Sequence, residues 1–333
     1  MKVAVIGAGS WGTALAQQAA VAGHDVKLWA RRQEVADALN RDHRNPDYLS
    51  EVALSERIHA SSDMAQVLDG VDAAIVVVPS AYVRQTAEAM AEHVTSDLPI
   101  VLCSKGVEES TGLVPVQVFS EVIGGEGRLA ALSGPNHAEE VVRGVPAATV
   151  VASPNGETAR FFQQLLSTRT FRVYTSDDVL GVELCAAFKN VIAIATGVSY
   201  GLGYGDNTAA MLMTRGQAEM GRLVAAAGGN PLTCMGLAGT GDLIATCMSQ
   251  HSRNRTFGEA LAKGETVQEY ERRRHMVVEG ARACKTLQSL SDRYQVELPL
   301  TNVVRSMVWE GADPSKVGDI LAARTLKPEI YGM

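Results

Sequence analysis

The chain has 333 residues, more than a single hydrophobic core usually sustains, so two domains are expected. Its formal net charge of -7 argues against nucleic acid as a partner, because phosphate-backbone binders present a basic surface, and any anionic ligand must be met by locally placed lysines and arginines. The five cysteines, Cys103, Cys185, Cys234, Cys247 and Cys284, are scattered and form no CxxC pair, which argues against both a disulfide framework and a zinc site; no metal is expected.

The chain opens with Lys2 to Ile6, a short β-branched run, followed at once by GAGSWGTALA. Gly7, Gly9, Gly12 and the Gln17-Gln18 pair break the apolar start, so it does not read as a signal peptide. Strand, G-x-G-x-x-G, then amphipathic helix is the context in which this motif binds a dinucleotide: Gly7 makes the turn, Gly9 admits the pyrophosphate and Gly12 lets helix pack on strand. The second run, Val26 to Trp29, ends in Ala30, Arg31 and Arg32, where an NAD site would carry an acidic residue. Two guanidinium groups there suit the 2′-phosphate of NADP(H), with NAD(H) also open; the alternative is a solvated first turn of the next helix.

Further runs follow at Ala74 to Val78, Ile100 to Cys103, Leu129 to Leu132 and Ala147 to Ala152, alternating with helical patterns, which predicts an α/β domain with a doubly wound parallel sheet. Three of these runs end in Pro79-Ser80, Ser104-Lys105-Gly106 and Ser133-Gly134-Pro135-Asn136, placing polar groups at the sheet edge where ligands bind. Lys105 offers a cation there, or is a surface lysine capping a loop. From about Asp177 the strand signals vanish, so the expected division is a dinucleotide-binding domain over 1–178 and a helical substrate and catalytic domain over 179–333.

Val182 to Val198 is apolar on nearly every side, as in a buried core helix, yet carries Lys189 and Asn190. A buried ammonium is costly unless paired, and desolvation moves its pKa toward a range useful for proton transfer; the alternative is a lysine that snorkels to water. These two polar residues also interrupt the longest apolar stretch, so no membrane insertion and a cytoplasmic location are expected. In GLAGTGDLIATC, Asp242 is either catalytic or a plain helix N-cap. In SQHSRNRTFG, Ser252, Arg253 and Asn254 combine a cation with two neutral hydrogen-bonding groups, suited to a phosphate, or form an ordinary polar loop. The charged run from Glu271 to His275 reads as a solvated face.

Read end to end, GAGSWGTALA, CSKGVE, LSGPNHAEEV, FKNVIAIATG, GLAGTGDLIATC, SRNRTFG and VVEG resemble the bacterial NAD(P)-dependent glycerol-3-phosphate dehydrogenases. The resemblance implies a Rossmann-type N-terminal domain and an all-helical C-terminal domain resembling that of 6-phosphogluconate dehydrogenase. It also implies reduction of dihydroxyacetone phosphate to sn-glycerol 3-phosphate for phospholipid synthesis, with a homodimer as the candidate assembly. Beside the three glycines it assigns cofactor contacts to Ser10, Trp11, Arg31, Arg32, Tyr48, Lys105, Ala138, Arg253, Val277 and Glu279. Substrate contacts fall at Lys105, Gly134, Asn136, Lys189, Asp242, Ser252, Arg253 and Asn254. Lys189 takes the part of general acid/base, with Lys105 and Asp242 as the other catalytic residues. Asn136, His137 and Thr240 depart from the family pattern. Two rival readings are a dehydrogenase of non-phosphorylated hydroxy acids, which would have no use for the Ser252 to Asn254 cluster, and a regulatory protein that only senses the dinucleotide.

Overall fold

The computed structural model describes residues 1–274, 277–316, 326, 328 and 329. By its internal contacts the chain forms two units: Met1–Lys105 with Leu113–Val179, and Gly106–Gly112 with Leu180–Met333.

The first unit is built on eight strands: β1 (Lys2–Ile6), β2 (Asp25–Trp29), β3 (Ile58–Ser61), β4 (Ala73–Val76), β5 (Ile100–Leu102), β6 (Leu129–Ser133), β7 (Ala147–Ala152) and β8 (Phe171–Ser176). They lie in the order β3-β2-β1-β4-β5-β6-β7-β8. From β3 to β6 every pairing is parallel. Residues of β4, β5 and β6 are buried without interruption, as expected where helices cover both faces. This is a Rossmann-like sheet, and its order reverses between β1 and β4, which opens a crevice at the strands' carboxyl ends.

The sheet departs from the all-parallel expectation at β7, which runs antiparallel to β6, and β8 follows β7 in parallel. The connection over 134–146 holds only the short Ala138–Val141 helix, too little to carry the chain back across the sheet for a parallel return. β3 and β8 also go beyond the expected strands. Both are sheet edges whose burial alternates, and Arg172 and Tyr174 point outward from β8, so neither forms a continuous apolar run.

Two glycines fix the start of the first crossover. Gly7 has φ +119°, and a Cβ there would stand 2.3 Å from the Val77 carbonyl oxygen. A Cβ on Gly12 would stand 1.8 Å from the Gly7 carbonyl oxygen, so the Ser10–Val21 helix can sit down on its own strand only with hydrogen at that position.

In the second unit the described residues from Leu180 onward contain helices and turns and no strand. Its central element is the Val179–Gly201 helix, long and apolar enough to cross a membrane by length and composition, but with 89% of its apolar window buried in protein. It meets the Arg253–Leu261 helix backbone to backbone: a Cβ on Gly197 would lie 2.0 Å from the Arg255 carbonyl oxygen, and one on Gly258 2.2 Å from that of Ile194. The Asp206–Ala226 helix carries Glu219, buried, whose carboxylate accepts from the Leu300 N–H at 2.6 Å and the Thr301 N–H at 3.3 Å, two unpaired donors at the start of the Pro299–Trp309 helix. Of the Glu271 to His275 run, Glu271 accepts from the Val278 N–H at 2.8 Å, Arg273 pairs with Glu265 at 2.7 Å, and His275 lies outside the described residues.

Candidate active site

In the first unit a cavity of about 820 Å³ opens at the reversal point, lined by Gly7 to Gly9, Ala30 to Arg32, Asp47, Tyr48 and Val77 to Pro79. Gly9 is the backbone cap of the Ser10–Val21 helix, no side chain caps it, and a Cβ placed on Gly9 would meet nothing within 4 Å. The loop therefore leaves open space in front of the free N–H groups of a helix start, the arrangement that accepts a pyrophosphate. Trp11 packs on the core behind the loop, and its indole N–H is buried with no hydrogen-bond partner among the described residues.

Arg31 and Arg32 both line the cavity and both are exposed, with Arg32 at the N-cap position of the Gln33–Asp42 helix. Arg32 is engaged by two carboxylates, Asp47 and, at 3.3 Å, Glu34. Tyr48 is half exposed on the same wall. This wall is tied to the glycine loop by Asn45, which is fully buried. Its amide donates to the Ala8 carbonyl at 2.9 Å and the Thr13 hydroxyl at 2.8 Å, while its oxygen accepts from the Asp47 and Tyr48 N–H groups at 3.0 and 3.2 Å.

Beyond β5 and β6, Lys105 donates to the Gly134 carbonyl at 3.4 Å, which brings two expected site residues into contact. Asn136 donates to the Ala148 carbonyl at 2.9 Å, and its own oxygen is buried without a partner among the described residues, an acceptor left for a ligand donor. Ala138 is buried as the first residue of its short helix, which His137 caps. Thr240 bridges within its turn, accepting from Gln217 at 2.6 Å and donating to the Cys234 carbonyl at 3.0 Å.

The second unit holds a buried charged cluster. Lys189 does not snorkel: its side chain is 7% exposed, and its ammonium donates to Asp242 Oδ1 at 2.5 Å and to the Thr246 hydroxyl at 2.9 Å. Asp242 is not the N-cap of its helix either, since Gly241 takes that place and the Asp242 carboxylate turns to the lysine. Removing one partner of such a pair leaves an uncompensated buried charge, at a cost of about 3–5 kcal/mol. Thr246 was not among the expected site residues, although four residues after Asp242 in one helix is the spacing that puts both on one face.

One helical position beyond Lys189, Asn190 is held by Asn254, whose amide donates to the Asn190 oxygen at 2.9 Å while its own oxygen accepts from the Gly280 N–H at 2.9 Å. Asn190 in turn donates to Glu279 at 3.4 Å, joining three helices near the lysine. Ser252 caps the Arg253–Leu261 helix by accepting from the Arg255 N–H at 3.3 Å. Arg253 is exposed at that helix's first position, and Val277 is 38% exposed.

A buried lysine clamped by a carboxylate in one unit and a glycine-loop crevice in the other is a dehydrogenase's equipment, and sequence comparison decides which kind. The family models for the N-terminus and the C-terminus of NAD-dependent glycerol-3-phosphate dehydrogenase match residues 2–159 and 178–319. The chain belongs to this family. It is 46% identical over 331 residues to the glycerol-3-phosphate dehydrogenase (NAD(P)+) of Bacillus pumilus, covering 99% of this chain and 96% of that one. The enzyme of the same name from Corynebacterium urealyticum is 44% identical, over 99% of this chain and 100% of its own. Among solved structures, the glycerol-3-phosphate dehydrogenase of Coxiella burnetii matches with a TM-score of 0.92 at 36% identity, covering 97% of this chain and 99% of that one.

Proposed function

We propose that this enzyme reduces dihydroxyacetone phosphate to sn-glycerol 3-phosphate, reversibly, with NADPH or NADH. The observation that carries the reading is the buried Lys189–Asp242–Thr246 cluster, with the ammonium donating at 2.5 and 2.9 Å. When bound, the reduced nicotinamide supplies the hydride to the ketone carbon. As negative charge grows on the ketone oxygen, Lys189 delivers a proton to it, and Asp242 and Thr246 hold the lysine in place. Lys105 stabilises the same developing charge.

Arg253 grips the phosphate together with Ser252 and Asn254, and the buried, unpartnered oxygen of Asn136 takes a substrate hydroxyl. Gly7, Gly9, Ser10, Trp11, Gly12, Arg31, Arg32, Tyr48 and Ala138 hold the cofactor, with contacts from Lys105, Arg253, Val277 and Glu279. Residues 1–178 form the dinucleotide-binding domain and 179–333 the substrate domain. The product feeds glycerophospholipid synthesis in the cytoplasm, and the enzyme works as a homodimer.

The test follows NADPH absorbance. Dihydroxyacetone phosphate consumes the cofactor, and ketones of the same size without phosphate do not. Lys189→Ala keeps its NADPH affinity, which also reports on folding, and loses turnover by at least about a hundredfold. Near-normal turnover in that variant removes the lysine from the chemistry.

A further inference from the structure

We propose that Asp47 sets the balance between NADPH and NADH by placing a carboxylate, carried on an anchored backbone, against Arg32 at the cofactor's adenosine end. The proposal rests on the reading of the first unit's cavity as the dinucleotide site.

A site for NADP(H) usually ends its second strand in an arginine that takes the 2′-phosphate, whereas one for NAD(H) ends it in a carboxylate that accepts from the ribose 2′-hydroxyl. Here both devices stand in one wall. Arg31 and Arg32 follow β2, and Asp47, from the next loop, lines the same cavity. Arg32 is not a waiting cation: it is paired with Asp47, and Glu34 lies 3.3 Å away. Arg31 has no ion pair among the described residues, so it is the cation left to a phosphate.

Asp47 differs from Glu34 in being built in. Its N–H donates to the Asn45 oxygen at 3.0 Å, and Asn45 is fully buried and bonded to the glycine loop through Ala8 and Thr13. Glu34 sits on the exposed first turn of a helix, with 68% of its side chain in solvent, and can swing away when a phosphate arrives. The Asp47 side chain is 38% exposed, less than that of Glu34, and its backbone is held beside Arg32 by Asn45. A 2′-phosphate must therefore share Arg32 with a carboxylate and bear its repulsion, while a free ribose hydroxyl gains an acceptor. The chain thereby accommodates both cofactors in one pocket.

Asp47→Asn removes the charge and keeps the shape. The expected result is a three- to fivefold rise in the ratio of kcat/KM for NADPH to that for NADH, about what one part-exposed charge pair carries, arising mainly from a lower KM for NADPH. Asp47→Glu, which keeps the charge, stays within about twofold of the wild-type ratio. A ratio that is unmoved in Asp47→Asn, that moves toward NADH, or that moves equally in both variants overturns the proposal. Binding of NADPH and NADH to the wild-type protein is measured alongside by fluorescence. A wild type that binds neither removes the cofactor reading itself, whereas one that binds both beside an unmoved ratio removes only the role of Asp47.

Discussion

The Lys189 ammonium donates to the oxygens of Asp242 and Thr246, and the smaller of these two partners is the more informative one to remove. Thr246→Val keeps the volume and the β-branch but withdraws the hydroxyl 2.9 Å from the ammonium. Asp242 still neutralises the charge, so the fold stands, while the lysine loses one of the contacts that aim it. A hydrogen bond to a charged group contributes about 1.5–3 kcal/mol, so kcat is expected to fall roughly ten- to a hundredfold with NADPH affinity unchanged. Stopped-flow turnover and cofactor titration of the same preparation check this, and an unaltered kcat refutes it. Lys189 was visible in the sequence because a cation stands out in an apolar run. Thr246 and Asn45 were not, because nothing about a threonine in a helix or an asparagine in a loop marks it until its partners are in place.

The helices and strands show the same division. Strands buried along all or nearly all of their length, such as β4 and β1, announce themselves as apolar runs, whereas β3 and β8 hide because an edge strand is half polar. The reversal at β7 is not written in its residues at all; it follows from how short the preceding connection is. At the Pro299–Trp309 helix, burial pushes Glu219 up to about 7 from its ordinary 4.5, opposed by the donors at Leu300 and Thr301. Below pH 4.5 the carboxyl is protonated whether the chain is folded or not. Between 4.5 and 7 the unfolded chain releases the proton while the folded one keeps it, so stability falls as pH rises through that window, and above 7 the penalty is constant. Its full size is about 3 kcal/mol. Glu219→Gln retains an acceptor for the Leu300 N–H and does not titrate. Its melting temperature relative to wild type is therefore expected to rise from pH 5 to pH 7 and to level off above that, and a difference that ignores pH contradicts the assignment.

For the molecule as a whole, a net charge of -7 should repel an anionic substrate, yet the proposed contacts to it include Lys105, Lys189 and Arg253. Salt distinguishes the two influences by sign. Raising ionic strength from about 0.01 to 0.15 M shortens the screening length from about 30 to 8 Å. If the local cations govern capture, KM for dihydroxyacetone phosphate rises with salt; a falling KM would show that the overall charge dominates. Protein engineering meets a different kind of constraint in the contact of Gly197 and Gly258 with the backbone of the facing helix. That contact sets the distance at which Asn254 reaches Asn190, and so the register of the polar cluster beside the lysine. A library that freezes every polar residue of the site and randomises the rest would lose activity at these two positions, where there is no functional group to protect, only the absence of one.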